Sequence, residues 1–163
     1  MTGKLNMSCG SKWFALTSIL AATISSYLVY VDWRLTKNPD YHPMCDIAEN
    51  VSCSKAIQSP IAHPFSYMNV VKQGSLFDVS LCKLATVFYA GMATYPLFSR
   101  EAPAAYLALS SSSVLASVYG TFLLATQVKD FCPACLALYA ANVGLLASAA
   151  YDQWIPGLKT KMG

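Results

Sequence analysis

The chain has 163 residues, of which 55% are hydrophobic and only 12% charged, so it has room for one domain and a composition unusual for a soluble one. Its 11 basic residues are scattered and leave a net charge of only +3, which excludes the long basic run that would indicate nucleic-acid binding. The composition instead favours a protein embedded in membrane lipid.

Four apolar segments are predicted to cross the membrane, because each approaches the roughly 20 mostly apolar residues that a spanning helix needs. They cover residues 14–31, 80–98, 103–128 and 131–150. The first follows Lys4 and Lys12 as a secretory signal would, but no convincing small-residue cleavage site follows it, so we interpret it as a retained span. We therefore predict an all-α integral membrane protein, a four-helix bundle formed by one domain over residues 1–163.

The one long polar stretch, about residues 32–79, lies between the first two spans and is predicted to cap the bundle. Within it, Ser54 is predicted to cap a short helix over residues 55–58, which Pro60 would stop. The residues that follow, including Phe65 and Met68, are predicted to lie on the membrane surface as a lid.

Two polar features bear on the later spans. Lys83 and Pro96 stand near the ends of the second span, where they suit an interface better than a bilayer centre. Lys129 and Asp130 separate the third and fourth spans and predict a tight turn, which would place those two helices side by side.

The motif Cys132-Pro133-Ala134-Cys135 opens the fourth span, with proline in a position that the first turn of a helix tolerates. The free N–H groups and the positive dipole end of such a helix stabilise a thiolate and so activate a cysteine. The same spacing also binds zinc, but here the motif favours redox chemistry.

A second cysteine pair, Cys45 and Cys53, lies in the polar loop. An even number of spans puts this pair on the same membrane face as Cys132 and Cys135, whereas three spans would separate the pairs. Taken alone, the loop pair would indicate a structural disulfide. The presence of the second pair, Cys132 and Cys135, near the lipid instead favours thiol–disulfide exchange between the loop pair and the helix pair.

A zinc site is the alternative use of four thiolates, but no histidine or acidic cluster accompanies the cysteines, so we expect no bound metal. His42 and His63 flank prolines in the loop and are interpreted as ordinary polar residues.

Tyr139 falls four residues after Cys135, so on a helix it lies on the same face one turn deeper. Its hydroxyl could donate a hydrogen bond to a quinone carbonyl or an epoxide oxygen, and packing between helices is an equally open interpretation. Leu84 and Phe88 on the second span could form an apolar wall for such a ligand, a pattern that helix packing also produces.

Four local patterns carry a resemblance to a known family. They are Met44-Cys45-Asp46-Ile47 with Val51-Ser52-Cys53-Ser54, Val87-Phe88-Tyr89, Ser117-Val118-Tyr119, and Asp130-Phe131-Cys132 with Cys135, Tyr139 and Asn142. Together with seven residues between the loop cysteines and two between the helix cysteines, they resemble the vitamin K epoxide reductase family, including its vertebrate paralogue, over about residues 14 to 150.

The resemblance implies a four-helix bundle around a quinone pocket at the luminal side of the endoplasmic reticulum membrane. It further implies that Cys135 attacks the substrate and Cys132 closes the resulting disulfide. Cys53 would then attack Cys132, and Cys45 would resolve Cys53, with electrons supplied by a thioredoxin-like luminal protein. The implied activity is reduction of vitamin K epoxide, vitamin K quinone or both.

The resemblance also implies which residues contact the substrate, namely Tyr139 and Phe88. Two departures from the family pattern favour quinone reduction over epoxide reduction. Leu81 stands where vertebrate members have an asparagine that hydrogen-bonds the quinone, and Pro60-Ile61-Ala62-His63-Pro64 replaces an aromatic and Trp-Gly-Arg-Gly stretch.

Basic residues are balanced across the four spans and do not decide the orientation. Lys159 and Lys161 have the spacing of a dilysine retrieval signal, which would place a cytosolic tail on the endoplasmic reticulum, and a merely solvated tail is an equally open interpretation.

Two other functions stay open at this stage. A quinone-dependent oxidase that promotes disulfide formation in client proteins would use the same cysteines. A non-enzymatic tetraspan scaffold would use only a loop disulfide between Cys45 and Cys53.

Overall fold

The computed structural model describes residues 9–48, 50–67, 79–98 and 102–161, and these residues are mostly helical. In chain order the elements are α1 (Cys9–Lys37), α2 (Cys53–Gln58), a 3-10 turn (Pro60–Ala62), α3 (Pro64–Tyr67), α4 (Leu81–Met92), α5 (Tyr95–Phe98), α6 (Pro103–Leu123), a π-helical turn (Leu124–Val128) and α7 (Pro133–Lys161). The described part of the chain contains no β-strand beyond isolated bridges. The predicted all-α class is confirmed.

Three helices in the described residues are long and apolar enough to cross a membrane: Cys9–Lys37, Pro103–Val128 and Pro133–Trp154. Large apolar side chains cover their outer faces, and Trp13, Leu115 and Val143 are all more than half exposed. Such an apolar surface suits membrane lipid. The backbone polar groups do not need water there, because they are hydrogen-bonded within each helix.

The inner face of α1 carries serine at every seventh position, at Ser11, Ser18 and Ser25, and all three are buried. Ser18 and Ser25 donate to the carbonyls of Phe14 and Ala21 at 2.8 Å, so these hydroxyls are satisfied within the helix. Small side chains let neighbouring helices approach closely, and α1 packs against both α7 and α4.

Contacts along α7 give the directions of α4 and α5. Asn142, near the middle of α7, accepts a hydrogen bond from Tyr89 of α4 at 2.9 Å, and Asp152, further along α7, accepts one from Tyr95 of α5 at 3.3 Å. The pass formed by α4 and α5 therefore runs parallel to α7. We call the end where α7 starts the cysteine end, and the end near Asp152 the far end.

Contacts at the far end give the directions of α1 and α6. Gln153 donates to the carbonyl of Pro103, the first residue of α6, at 2.7 Å. Gly10, near the start of α1, lies directly against Asp152. Both helices therefore run antiparallel to α7, and the residues that the structure describes make four helical passes between the two ends. This arrangement is the predicted four-helix bundle.

The second predicted span, 80–98, is two helices and not one. Pro96 explains the break, because proline lacks an N–H and its ring clashes with the carbonyl four residues earlier, which belongs to Met92, the last residue of α4. Ala93 and Thr94 form the turn before α5. At 1.5 Å per residue α4 is only about 18 Å long, shorter than a bilayer core of about 30 Å, so this pass needs both helices.

The polar cap also differs from its predicted limits. α1 continues to Lys37 and ends before Asn38-Pro39, because a residue that precedes proline is disfavoured in a helix, so the loop starts near residue 38 and not at 32. The N-cap of α2 is Ser52, whose hydroxyl accepts from the Lys55 N–H at 3.3 Å, and not Ser54. The Met68 part of the predicted lid lies outside the described residues.

Candidate active site

The cap is joined to the turn between α6 and α7 by backbone hydrogen bonds. The Ser52 N–H donates to the Phe131 carbonyl at 2.9 Å, and the Phe131 N–H donates to the Asn50 carbonyl at 2.8 Å. The next residue on each side is a cysteine, Cys53 and Cys132. This pairing therefore brings the loop cysteines to the start of α7.

An ion pair reinforces the same junction. Lys55 of α2 lies 3.1 Å from the carboxylate of Asp130, whose side chain is only 10% exposed. Before it, Lys129 adopts a left-handed conformation with φ of 59° and donates its N–H to the Leu124 carbonyl at 2.9 Å, which ends the π-helical turn. The structure thus places the predicted tight turn at Lys129 and Asp130, with α6 packed against α7.

Four cysteine sulfurs form a continuous row at this junction. Cys45 and Cys53 are joined by a disulfide. The Cys53 and Cys132 sulfurs are 3.6 Å apart, and those of Cys132 and Cys135 are 2.7 Å apart. Cys53 and Cys132, in the middle of the row, are completely buried. The structure therefore brings together all four cysteines that the sequence singles out.

The hydrogen bonds around Cys132 distinguish it from Cys135. The Cys135 N–H, in the first turn of α7, donates to the Cys132 sulfur at 3.3 Å, and the Cys135 thiol also points its hydrogen at that sulfur. Donors at a helix N-terminus favour the ionised sulfur. Cys132 is thus the sulfur that the helix end stabilises as a thiolate.

Asp46 is a central residue of the cap whose role the sequence analysis did not identify. Its carboxylate accepts from the Cys53 N–H at 2.6 Å, from the Ser54 N–H at 3.1 Å and from the Ser52 hydroxyl at 3.0 Å, and the Ser54 hydroxyl donates to its second oxygen. Burial opposes ionisation of Asp46, but these hydrogen bonds outweigh it and lower the pKa of the carboxyl below its ordinary value. The signal in the sequence is an aspartate shortly before a Ser-Cys-Ser helix start.

Asp46 and the loop cysteines are also one group of side chains that could hold a metal, since Cys45, Asp46 and Cys53 present ligand atoms within 4.8 Å of one another. In the disulfide form the two sulfurs are not thiolates, which are the form of cysteine that binds metals. The geometry of this group is accounted for by the disulfide and by the hydrogen bonds of Asp46.

Tyr139 is half-buried on α7, one turn beyond Cys135. Its hydroxyl lies against the backbone of α6 at Gly120, where an added Cβ would be only 2.7 Å from the hydroxyl oxygen.

Phe88 lines a cavity of about 510 Å³ between α4 and α6, together with Val87, Gly91, Met92, Phe98, Ala102, Ala105, Tyr106 and Leu109. Leu84 is half-buried near the start of α4 and, like Tyr139, is not part of this lining. The three predicted substrate contacts, Leu84, Phe88 and Tyr139, are therefore not gathered in this one cavity, and their roles stay predictions.

A helical chain with membrane-length apolar helices and a buried row of cysteine sulfurs has the architecture of a membrane thiol–disulfide oxidoreductase. Comparison with known families gives the same class. The sequence model described as "Vitamin K epoxide reductase family" matches residues 12–150. The chain belongs to this family, as its local patterns indicate, and is an oxidoreductase of that type.

Two curated relatives illustrate the similarity. The Vitamin K epoxide reductase complex subunit 1 of Rattus norvegicus is 29% identical over 125 residues, which cover 76% of this chain and 78% of the relative. The protein of the same name from Mus musculus is 29% identical over 140 residues, covering 85% of this chain and 86% of the relative.

Proposed function

We propose that this protein reduces vitamin K quinone, and vitamin K epoxide with it, using electrons relayed from the loop cysteines to the helix cysteines. The observation that carries the proposal is the row of four sulfurs, with Cys53 only 3.6 Å from Cys132 and Cys132 only 2.7 Å from Cys135. Disulfide exchange needs a thiolate close to one sulfur of a disulfide, and each neighbouring pair in this row meets that need.

The first half of the cycle oxidises the helix pair. Cys135, as a thiolate, attacks the substrate ring, and Cys132 attacks the Cys135 sulfur to form a disulfide and release the reduced product. The pair thereby supplies two electrons and the Cys135 proton, and water supplies the second proton, so that a quinone becomes its hydroquinone or an epoxide becomes the quinone and water. The Cys132 sulfur, which accepts the Cys135 hydrogen, can take up the proton as Cys135 becomes the nucleophile.

The second half regenerates the helix pair. Reduced Cys53 attacks Cys132, which releases Cys135 and forms a mixed disulfide, and Cys45 then attacks Cys53 to release Cys132. The product is the Cys45–Cys53 disulfide, the form of the loop pair in the structure. A thioredoxin-like luminal protein is the proposed electron donor that reduces it again. Met44 and Ile47, beside this disulfide, are strongly exposed and offer such a donor an apolar contact surface.

The substrate is proposed to approach from membrane lipid, and no metal takes part. Tyr139 is the proposed hydrogen-bond donor to a ring oxygen, and Phe88 and Leu84 are the proposed apolar contacts. The proposed location is the endoplasmic reticulum membrane, with the cysteine end in the lumen and the C-terminus in the cytosol.

Purified protein in lipid nanodiscs, supplied with a dithiol reductant and either quinone or epoxide, tests the proposal. We expect turnover by the native protein, its loss in Cys135→Ala, and native turnover in Cys9→Ser, because Cys9 is an exposed cysteine at the far end. Full turnover by Cys135→Ala would refute the mechanism.

The oxidase alternative fits the same observation, the oxidised loop pair lying beside a reduced helix pair. Both functions send electrons from the loop pair to a quinone, and they differ in whether a client protein or a dedicated donor supplies them. Incubating a reduced client protein with the enzyme and quinone separates them, because only an oxidase forms client disulfides at the rate of quinone consumption. Permanent pairing of Cys45 with Cys53 and an always-reduced helix pair would instead indicate the scaffold.

A further inference from the structure

A chain of buried hydrogen bonds crosses three helices below the cysteines. Tyr89 of α4 donates to the side-chain oxygen of Asn142 at 2.9 Å, and the Asn142 amide nitrogen donates to the Ser117 hydroxyl of α6 at 2.7 Å. The Ser117 hydroxyl donates in turn to the Ser113 carbonyl at 2.9 Å. Tyr89, Asn142 and Ser117 are 3%, 6% and 7% exposed, so water does not compete for these bonds.

This series of hydrogen bonds fixes the register of α6 against α7. Asn142 is bonded through both its oxygen and its nitrogen, so a shift of either helix along the other would leave buried polar atoms without partners. An unsatisfied buried polar group is costly, and in an apolar surrounding no solvent replaces the lost partner. The pair Ser117 and Asn142 therefore defines which residues of the two antiparallel helices lie opposite each other.

One turn nearer the cysteines, the same register sets Gly120 opposite Tyr139. Gly120 follows Ser117 by three residues and Tyr139 precedes Asn142 by three, as antiparallel neighbours must. An added Cβ on Gly120 would lie 2.7 Å from the Tyr139 hydroxyl oxygen, 3.5 Å from Cζ and 3.9 Å from Cε1. The hydroxyl alone is in conflict, since the ring distances are ordinary van der Waals contacts.

We propose that Gly120 is a specificity-determining position, which gives the Tyr139 hydroxyl the space it needs to meet a ring oxygen of the substrate. Asn142, Ser117 and Tyr89 act as positioning residues that keep Gly120 in that place. The inference rests on the proposed function, in which Tyr139 donates to the carbonyl or epoxide oxygen of a quinone-type ring. A side chain at position 120 displaces the hydroxyl, and ligands that depend on that hydrogen bond lose affinity.

A double-mutant cycle tests the inference with 2-methyl-1,4-naphthoquinone as the probe. Gly120→Ala and Tyr139→Phe are each expected to lower kcat/KM roughly threefold to tenfold, the value of one hydrogen bond, mainly through KM. The double variant is expected to lose no more than Tyr139→Phe alone, because without the hydroxyl the added methyl group meets only ordinary contacts.

Gly144→Ala is the matched control, since it also places alanine in a helix and its Cβ would lie at an ordinary 3.5 Å from Thr17. It is expected to keep native kcat/KM. A native kcat/KM in Gly120→Ala would overturn the inference. So would a Gly120→Ala substitution that lowers kcat/KM equally in the native protein and in the Tyr139→Phe variant.

Two further readouts separate this inference from the proposed function. Reduction of the Cys132–Cys135 disulfide by dithiothreitol, followed by thiol alkylation, does not use Tyr139 and is expected to be unchanged in Gly120→Ala; slower reduction would show a general structural defect and overturn the inference. If the native protein binds the naphthoquinone without reducing it, the proposed function fails, and the same cycle is measured as Kd. If it neither binds nor reduces the probe, both fail.

Discussion

At the scale of single residues, Asp46 determines where Cys53 stands. The carboxylate accepts bonds from the N–H groups of Cys53 and Ser54 and from the Ser52 hydroxyl, so it holds the first turn of α2. α2 has only six residues and is too short to be stable by itself. The position of the Cys53 sulfur beside Cys132 therefore depends on this side chain as well as on the backbone pairing of Ser52 with Phe131.

We predict that Asp46→Asn destabilises the cap by roughly 1 kcal/mol, as expected when a carboxylate that accepts from the first N–H groups of a helix is replaced, and slows disulfide exchange from the loop pair to the helix pair. Because the pKa of Asp46 is lowered on folding, its contribution is complete above the ordinary value of 3.8 and is lost as pH falls through the lower folded pKa. Thermal unfolding from neutral to acidic pH measures the loss of stability and its dependence on pH, and alkylation of free thiols over time measures the exchange.

In that experiment the stability difference between native protein and Asp46→Asn should be constant near neutral pH and shrink only in the acidic range. Asp40→Asn serves as the control, because Asp40 is an exposed loop carboxylate. A difference that stays constant through the whole acidic range would contradict the assigned role.

At the scale of helices, the polar bonds across the bundle and the ion pair at its cap have different weights. Lys55 is 53% exposed, so its pair with Asp130 is worth little in water. Asn142 is buried and bonded to two other helices. The buried amide therefore contributes more to the arrangement of the helices than the visible ion pair does.

We predict that Asn142→Ala lowers the free energy of unfolding by about 1–3 kcal/mol, because it leaves the Tyr89 and Ser117 hydroxyls without this partner. Denaturant unfolding of the detergent-solubilised protein measures the change. Ser112→Ala, which removes an exposed hydroxyl from α6, should have almost no effect. Equal stability of both variants would show that the buried chain does not hold the helices.

The helices also show how much of the structure could be predicted from the sequence. Hydrophobic length is a local property, so the all-α class and the turn at Lys129 could be predicted. Pro96 signals the helix break after Met92, but from the sequence it predicts only the end of the second span and not a division of that span into two helices. The exchange of Ser54 for Ser52 as the N-cap could not be predicted from periodicity, because Asp46 also binds the first N–H groups of α2 and this contact depends on the fold of the cap.

At the scale of the whole molecule, the two cysteine pairs meet because the described helices make an even number of passes between the two ends of the bundle. The count of spans alone decides on which membrane face each cysteine pair lies, so the approach of the loop pair to the helix pair could be predicted. The order of the sulfurs could not, since it depends on the pairing of Ser52 with Phe131. The cavity beside Phe88 likewise depends on how α4 and α6 pack, which no local pattern encodes.

We predict that the variant Cys45→Ser with Cys135→Ser forms a Cys53–Cys132 disulfide on mild oxidation with diamide, because those two sulfurs are neighbours. Peptide mapping without reduction detects the bond. The matched variant Cys45→Ser with Cys132→Ser leaves Cys53 and Cys135, which Cys132 separates in the row, and should crosslink more slowly. Equal crosslinking would contradict the order of the four sulfurs.

Main-chain atoms join the cap to the turn between α6 and α7, and this has a consequence for sequence variation. The side chain of Phe131 is 66% exposed, so exchanging it for another residue leaves both of its backbone bonds in place. Proline is the exception, because it has no N–H to donate to the Asn50 carbonyl. Position 131 can thus vary without separating the two thiol pairs, whereas proline there would remove one of the two backbone bonds that hold the pairs together.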